Sequence, residues 1–154
     1  MTWEAVLNNP LLRNLPFKIE MNRFGQIVMN PASNKRGAIK AEIGFKVWRQ
    51  KKQGKLIFGC SMVTSDGIKV ADVAWASDEF IEEYGEVTPY PKAPEICVEV
   101  ISPSNSKQEI EHKVELYLAK GALEVWVVDG KKQVAYYTHI GKIPKSKLVP
   151  KIKL

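Results

Sequence analysis

The sequence predicts an α/β fold, a central mixed β-sheet with a long helix on each face, on three observations. Apolar runs rich in β-branched residues, bounded by turn residues, recur along the chain as strands. Two segments, about 33–50 and 106–120, instead repeat apolar residues at helical spacing behind a Ser or Asn start. The second of them lies between two apolar strands. That order favours a right-handed crossover and parallel neighbours in the sheet.

The elements follow in chain order. "WEAVLNNP" can make a helical turn or two before Asn-Asn-Pro stops it. "FKIEMNRFGQIVMNP" alternates on both sides of "NRFG", which predicts a β-hairpin over residues 17–29. In the next segment Ile39, Ile43 and Val47 recur every four residues, the stripe of an amphipathic helix. "KQGKLIFGCSMV" is a turn and a strand, "SDG" a tight turn, and "IKVADVAWAS" a second strand. Residues 78–94, rich in Glu and Pro, read as a surface loop. The strand 95–101 is then broken by "SPSNS", which caps a helix that Gly121 stops. "LEVWVVD" and "QVAYYTHI" are two further strands joined by the turn "GKK".

At 154 residues and 45% hydrophobic, the chain can build one domain with a true core, and one domain spanning 1–154 is expected. The two cysteines, Cys60 and Cys97, sit in apolar strands and read as buried hydrophobes. No apolar run approaches the roughly 20 residues needed to cross a bilayer, so no membrane partner and a cytoplasmic location are expected. The balance of 23 Lys+Arg against 17 Asp+Glu leaves a net charge of +6, which favours a polyanionic partner. Lys51, Lys52 and Lys55 of "KKQGK" are the candidate nucleic-acid contacts, with the lysine-rich tail from residue 142 as a second group. A solvated basic surface accounts for the same residues.

Two acids stand out because of their surroundings. Between Ile96 and Ile101 only Glu99 is charged, and among Val70, Ala71, Val73, Ala74 and Trp75 only Asp72 is. A carboxylate inside a buried strand is unfavourable unless it is paired, hydrogen-bonded or bound to a cation. If the two strands pair, they lie roughly 5 Å apart, close enough for both carboxylates to hold one hard cation such as Mg²⁺. Each acid could instead meet its own Lys or Arg at the sheet edge. Lys113, on the following helix beside a core face of Ile110, Val114, Tyr117 and Leu118, can reach the end of the sheet. It is also placed to pair with Glu109 one turn earlier. His112 and His139 stay outside the candidate site, and Trp48, Trp75 and Trp126 read as core aromatics.

The order Asp72, "EVISPS" from Glu99, a helix with Lys113 and Tyr117, then "GALEVWVVD" resembles the putative restriction endonuclease family of small bacterial proteins, in the PD-(D/E)xK nuclease superfamily. The run "LPFKIEMNRFGQIVMNPASNKRGAIKAEI" is similar to that family too, so the resemblance covers nearly the whole chain. It implies a restriction-endonuclease-like core. It also implies Asp72 and Glu99 as catalytic metal ligands, the Val100 backbone carbonyl as a further metal oxygen, and Lys113 as the catalytic lysine. The superfamily places that lysine two residues after the Glu, where this chain has Ile101. Arg36 stands where relatives often have His, and Arg cannot act as a base near neutral pH. Glu42 is a candidate additional ligand or water-orienting group.

These readings converge on an Mg²⁺-dependent nuclease, with Mn²⁺ as an alternative ion, acting on phosphodiester bonds in DNA. A homodimer is the natural arrangement for cutting both strands. The rival is a catalytically inactive nucleic-acid-binding or assembly module on the same fold. A third reading, a small-molecule-binding α/β protein, lacks a Gly-rich phosphate loop, since neither G-x-G-x-x-G nor G-x-x-x-x-G-K occurs.

Overall fold

A computed structural model describes residues 1–154. Four helices, α1 (Trp3–Asn8), α2 (Asn34–Lys51), α3 (Asp78–Tyr84) and α4 (Lys107–Ala119), surround one mixed sheet of eight strands. The strands are β1 (Phe17–Met21), β2 (Ile27–Pro31), β3 (Lys55–Thr64), β4 (Gly67–Ala76), β5 (Ile96–Val100), β6 (Glu124–Val128), β7 (Val134–Thr138) and β8 (Gly141–Ile143). Their order is β2-β1-β4-β5-β6-β7-β8, with β3 on the other edge of β4. The one parallel pair is β5 with β6, the two strands that α4 connects, as the crossover spacing predicts.

Local chemistry explains the elements. The β1–β2 turn closes because Asn22 Oδ1 accepts from the backbone N–H of Phe24 and of Gln26 while Gly25 takes φ 77°. Ser33 caps α2 by accepting from Arg36 N, and Ser106 caps α4 by accepting from Glu109 N. The α2 stripe packs Ile39, Ile43 and Val47 on one face of the sheet with Val73, Trp75, Val98, Val100 and Trp126. Gly44 lets that helix approach, since a Cβ there would come within 2.7 Å of Phe58 Cζ. The other face carries α4, with Val114 and Tyr117 against Cys97, Val125 and Val127. Cys60 and Cys97 are free thiols in this second cluster, and burial pushes the Cys60 thiol up to about 12.

Four features depart from the sequence reading. Trp48, read as a core aromatic, lies exposed on α2. The segment read as a loop over 78–94 begins with α3, capped by Ser77 Oγ, which accepts from Phe80 N. His139 lies in the turn after β7, which returns as β8. The basic tail is docked: Val149 and Ser146 are buried, the second beneath the equally buried Glu124 of β6. Glu124 accepts from Trp126 Nε1 (2.9 Å), Ser146 Oγ (2.6 Å), Lys147 N (2.8 Å) and Leu148 N (3.1 Å). No helix is long and apolar enough to cross a membrane.

Candidate active site

The sheet forks at β4. One edge of β4 pairs with β3 along its length, while the other pairs with β5 through residues 73–75 and with β1 only at Ile68. Between those contacts the strands diverge and leave backbone N–H groups without ladder partners. Carboxylates take their place. Val100 N donates to Asp72 Oδ2 at 2.7 Å, and Val70 N donates to Glu20 Oε2 at 2.7 Å. The embedded acids are therefore partly structural: each replaces a carbonyl where two strands part.

Their remaining oxygens face a row of cations. Glu99 Oε1 accepts from Tyr117 Oη (2.6 Å) and Lys113 Nζ (3.1 Å), and its Oε2 accepts from Lys18 Nζ (2.9 Å). Lys113 Nζ also donates to Glu20 Oε2 at 2.8 Å. Lys18 Nζ reaches on to Asp72 Oδ1 at 3.2 Å, and Lys40 Nζ approaches the same oxygen at 3.2 Å from α2. The groups alternate in sign along the fork as Glu20, Lys113, Glu99, Lys18, Asp72, Lys40. Arg36 joins from α2, with Nη2 donating to the Val100 carbonyl at 2.8 Å and lying 3.9 Å from Asp72 Oδ2.

Burial makes these charges interact strongly. It would raise the Glu99 carboxyl, but Lys113 and Lys18 outweigh it and hold Glu99 ionised well below the usual carboxylate range. Asp72 moves the other way, since burial and the charge of Glu99 raise it against the opposing Lys18 and Lys40. Burial would lower the Lys18 ammonium, yet Glu99, Asp72 and Glu20 together raise it above the ordinary lysine range. The site is thus a neutralising cluster with one reluctant acid, Asp72.

Asp72, Glu99 and Lys113, the residues singled out from sequence, come together at this fork. Lys113 pairs with Glu20 and Glu99 rather than with Glu109, so its intrahelical explanation fails. Glu42 is not brought in: its carboxylate binds Lys46 and Lys132 on an outward part of α2. Lys51, Lys52 and Lys55 are also elsewhere. Lys55 pairs with Ala76 at the far end of β4, about 23 Å along the strand from Lys69 at the cleft. There Lys51 lies 4.5 Å over the Trp75 ring and Lys55 is 3.5 Å from Glu86.

A cleft of about 380 Å³ opens onto the fork, lined among others by Lys18, Glu20, Arg36, Glu99 and Lys113. At its rim Asp66 accepts from Arg23 N at 3.0 Å and lies 2.9 Å from His112 Nε2 and 3.4 Å from Lys69 Nζ. These contacts tie the β1–β2 turn and the β3–β4 turn to α4. Sequence reasoning missed Lys18, Glu20, Arg36 and Lys40 as members of the cluster. The one available signal was the spacing of Arg36 and Lys40, which puts both on one face of α2.

The donor set suits a divalent cation in one respect and resists it in another. Asp72 Oδ1 is buried without a hydrogen bond, since its lysine contacts are ionic but poorly aligned, and Asp72 and Glu99 both reach within 3.2 Å of Lys18 Nζ. Hard oxygens converging on one point fit Mg²⁺. The same point is held by the Lys18 ammonium.

The sequence model of the Uma2 family, described as putative restriction endonuclease, matches residues 3–143. The chain belongs to this family. Among solved structures, a putative nuclease belonging to DUF820 from Anabaena variabilis ATCC 29413 shares the fold, with a TM-score of 0.72. That likeness covers 88% of this chain and 86% of the other at 21% identity. No curated protein matches the chain in sequence. The fold shared with that solved structure is, in this Uma2 member, an α/β architecture with a central mixed sheet.

Proposed function

We propose that the chain, acting as one domain, hydrolyses phosphodiester bonds in DNA with Mg²⁺ held by Asp72, Glu99 and the Val100 carbonyl, Mn²⁺ serving as a substitute. The observation that carries this reading is the convergence of Asp72 and Glu99 on a single point beside a lysine, in a chain of a putative restriction endonuclease family. A bound Mg²⁺ supplies Lewis-acid charge and lowers the pKa of water. The chain's own groups do the rest. Tyr117 donates to Glu99 and fixes its orientation, as Val100 N does for Asp72. Lys113, held by Glu20 from the opposite side, presents its ammonium at the cleft, where it orients the attacking water and offsets charge developing on the phosphate. Arg36 adds positive charge along the cleft for the flanking backbone. A two-fold dimer in the cytoplasm, cutting both strands of a duplex, completes the reading.

The second reading, an inactive nucleic-acid-binding module, is favoured by the same cluster seen differently. Lys18 sits between the carboxylates, Arg36 occupies the Val100 carbonyl, and Ile101 stands at the usual lysine position of the superfamily motif. A cleavage assay separates the two. Supercoiled plasmid, linear duplex, single-stranded DNA and RNA are incubated with the protein in Mg²⁺, Mn²⁺ or EDTA. Nicking or cutting of DNA that needs the divalent ion and stops in EDTA is expected. Binding of DNA without cleavage under every condition would support the inactive module.

A further inference from the structure

Lys18 stands where the cation of the proposed function would bind. Its side chain is only 13% exposed, and its Nζ lies 2.9 Å from Glu99 Oε2 and 3.2 Å from Asp72 Oδ1. A surface lysine would hold one carboxylate loosely in water. This one bridges two buried carboxylates in a site with little solvent, so any other cation must compete with it. The charge count sharpens the conflict. Three acids, Glu20, Asp72 and Glu99, are in salt-bridge contact with four cations, Lys18, Arg36, Lys40 and Lys113. The cluster already carries one net positive charge. A divalent ion added beside Lys18 would raise that to three within a few ångströms, in a partly desolvated site where such repulsion is weakly screened.

We propose that Lys18 is the resident counter-cation of the Asp72–Glu99 pair, and that a divalent metal binds there only as the Lys18 ammonium leaves. The inference rests on the metal reading of the pair and adds its order of events. The architecture permits the exchange. Lys18 is carried by β1, which pairs with β2 over five residues but meets β4 only at Met21 and Ile68, so no ladder ties residue 18 to β4. The Lys18 side chain also lines the open cleft, where a backbone phosphate would receive the displaced ammonium. Nucleic acid and metal then help one another: the phosphate stabilises the displaced lysine, and the vacated carboxylates take the ion. By linkage each ligand raises the affinity for the other. Lys18 is a positioning residue in this scheme, since it acts on the metal through the carboxylates.

The test is a calorimetric titration of Mn²⁺ into the whole chain, as wild type and as Lys18→Met, Lys18→Gln and Lys18→Arg, with circular dichroism to establish that each is folded. Met preserves volume and Gln preserves a hydrogen-bond donor, so the neutral state can be read even where one of them does not fold. Without nucleic acid, both neutral variants are expected to bind Mn²⁺ at least about tenfold more tightly than wild type, while Lys18→Arg binds as wild type does. Adding a short DNA duplex should tighten Mn²⁺ binding to wild type and leave the neutral variants little changed. Equal Mn²⁺ affinity in wild type and the neutral variants would overturn the displacement and leave the metal site standing. Absence of Mn²⁺ binding in every variant, with and without DNA, would remove the metal site and the displacement with it.

Discussion

Replacing Lys113 with alanine is expected to slow DNA cleavage by at least about a hundredfold, because it removes a preorganised charge from the place where negative charge develops on the phosphate. Metal-independent affinity for DNA should change little, since in the proposed function it would be spread over many phosphate contacts. The substitution also leaves Glu20 and Glu99 without their shared cation. Removing one partner of a buried ion pair destabilises a fold by several kcal/mol, so cleavage must be compared per folded molecule at a temperature well below the melting transition. Lys113→Arg separates the two effects. It keeps the charge, and hence most of the stability, but its larger planar head alters the geometry and should still cut slowly. An alanine variant that cleaves at the wild-type rate would leave Lys113 a structural counter-ion and nothing more.

The second large effect lies away from the cleft. Glu124→Ala is expected to destabilise the protein by about 3–5 kcal/mol, because four donors around one buried carboxylate lose their acceptor together. Two of those donors are backbone N–H groups of Lys147 and Leu148, so the damage should concentrate in the tail. Amide exchange across residues 146–152 should accelerate more than in β6, as expected for local release of a docked segment. Glu124→Gln should fall between wild type and alanine, since one amide oxygen cannot serve all four donors. A chemical-denaturation midpoint for Glu124→Ala close to that of wild type would contradict this account of the tail.

Both residues bear on what could be read from sequence. Asp72 and Glu99 were conspicuous because each interrupts an apolar strand, and the strand–helix–strand spacing correctly predicted parallel β5 and β6. Lys113 was legible from its helical phase next to the core face. Lys18 and Glu20 were not, since "FKIEM" alternates as any half-exposed hairpin strand does, and only the fork beside β4 buries its polar side. Lys51, Lys52 and Lys55 show how closeness in sequence differs from closeness to the cleft. Three lysines clustered in sequence made a conspicuous patch, yet the end of α2 holds Lys51 and Lys52, and the β3–β4 register places Lys55 at the end of the sheet remote from the cleft. The short α3 was hidden by averaging composition over a long Glu- and Pro-rich stretch, although Ser77, Asp78 and Glu79 form a capped acidic first turn. Glu124 carried a signal like that of Glu99, one acid in an apolar strand, but three of its four partners come from the tail and none from a neighbouring strand.

Whether the Asp72–Glu99 pair holds a metal used on DNA can be seen in an anomalous difference map from a crystal grown with Mn²⁺ and a DNA duplex. A single Mn²⁺ peak at about 2.0–2.3 Å from an oxygen of each carboxylate, with Lys18 withdrawn from between them, is the expected result. DNA lying in the cleft with Lys18 still bridging the two carboxylates, and no anomalous peak beside them, would contradict the metal reading.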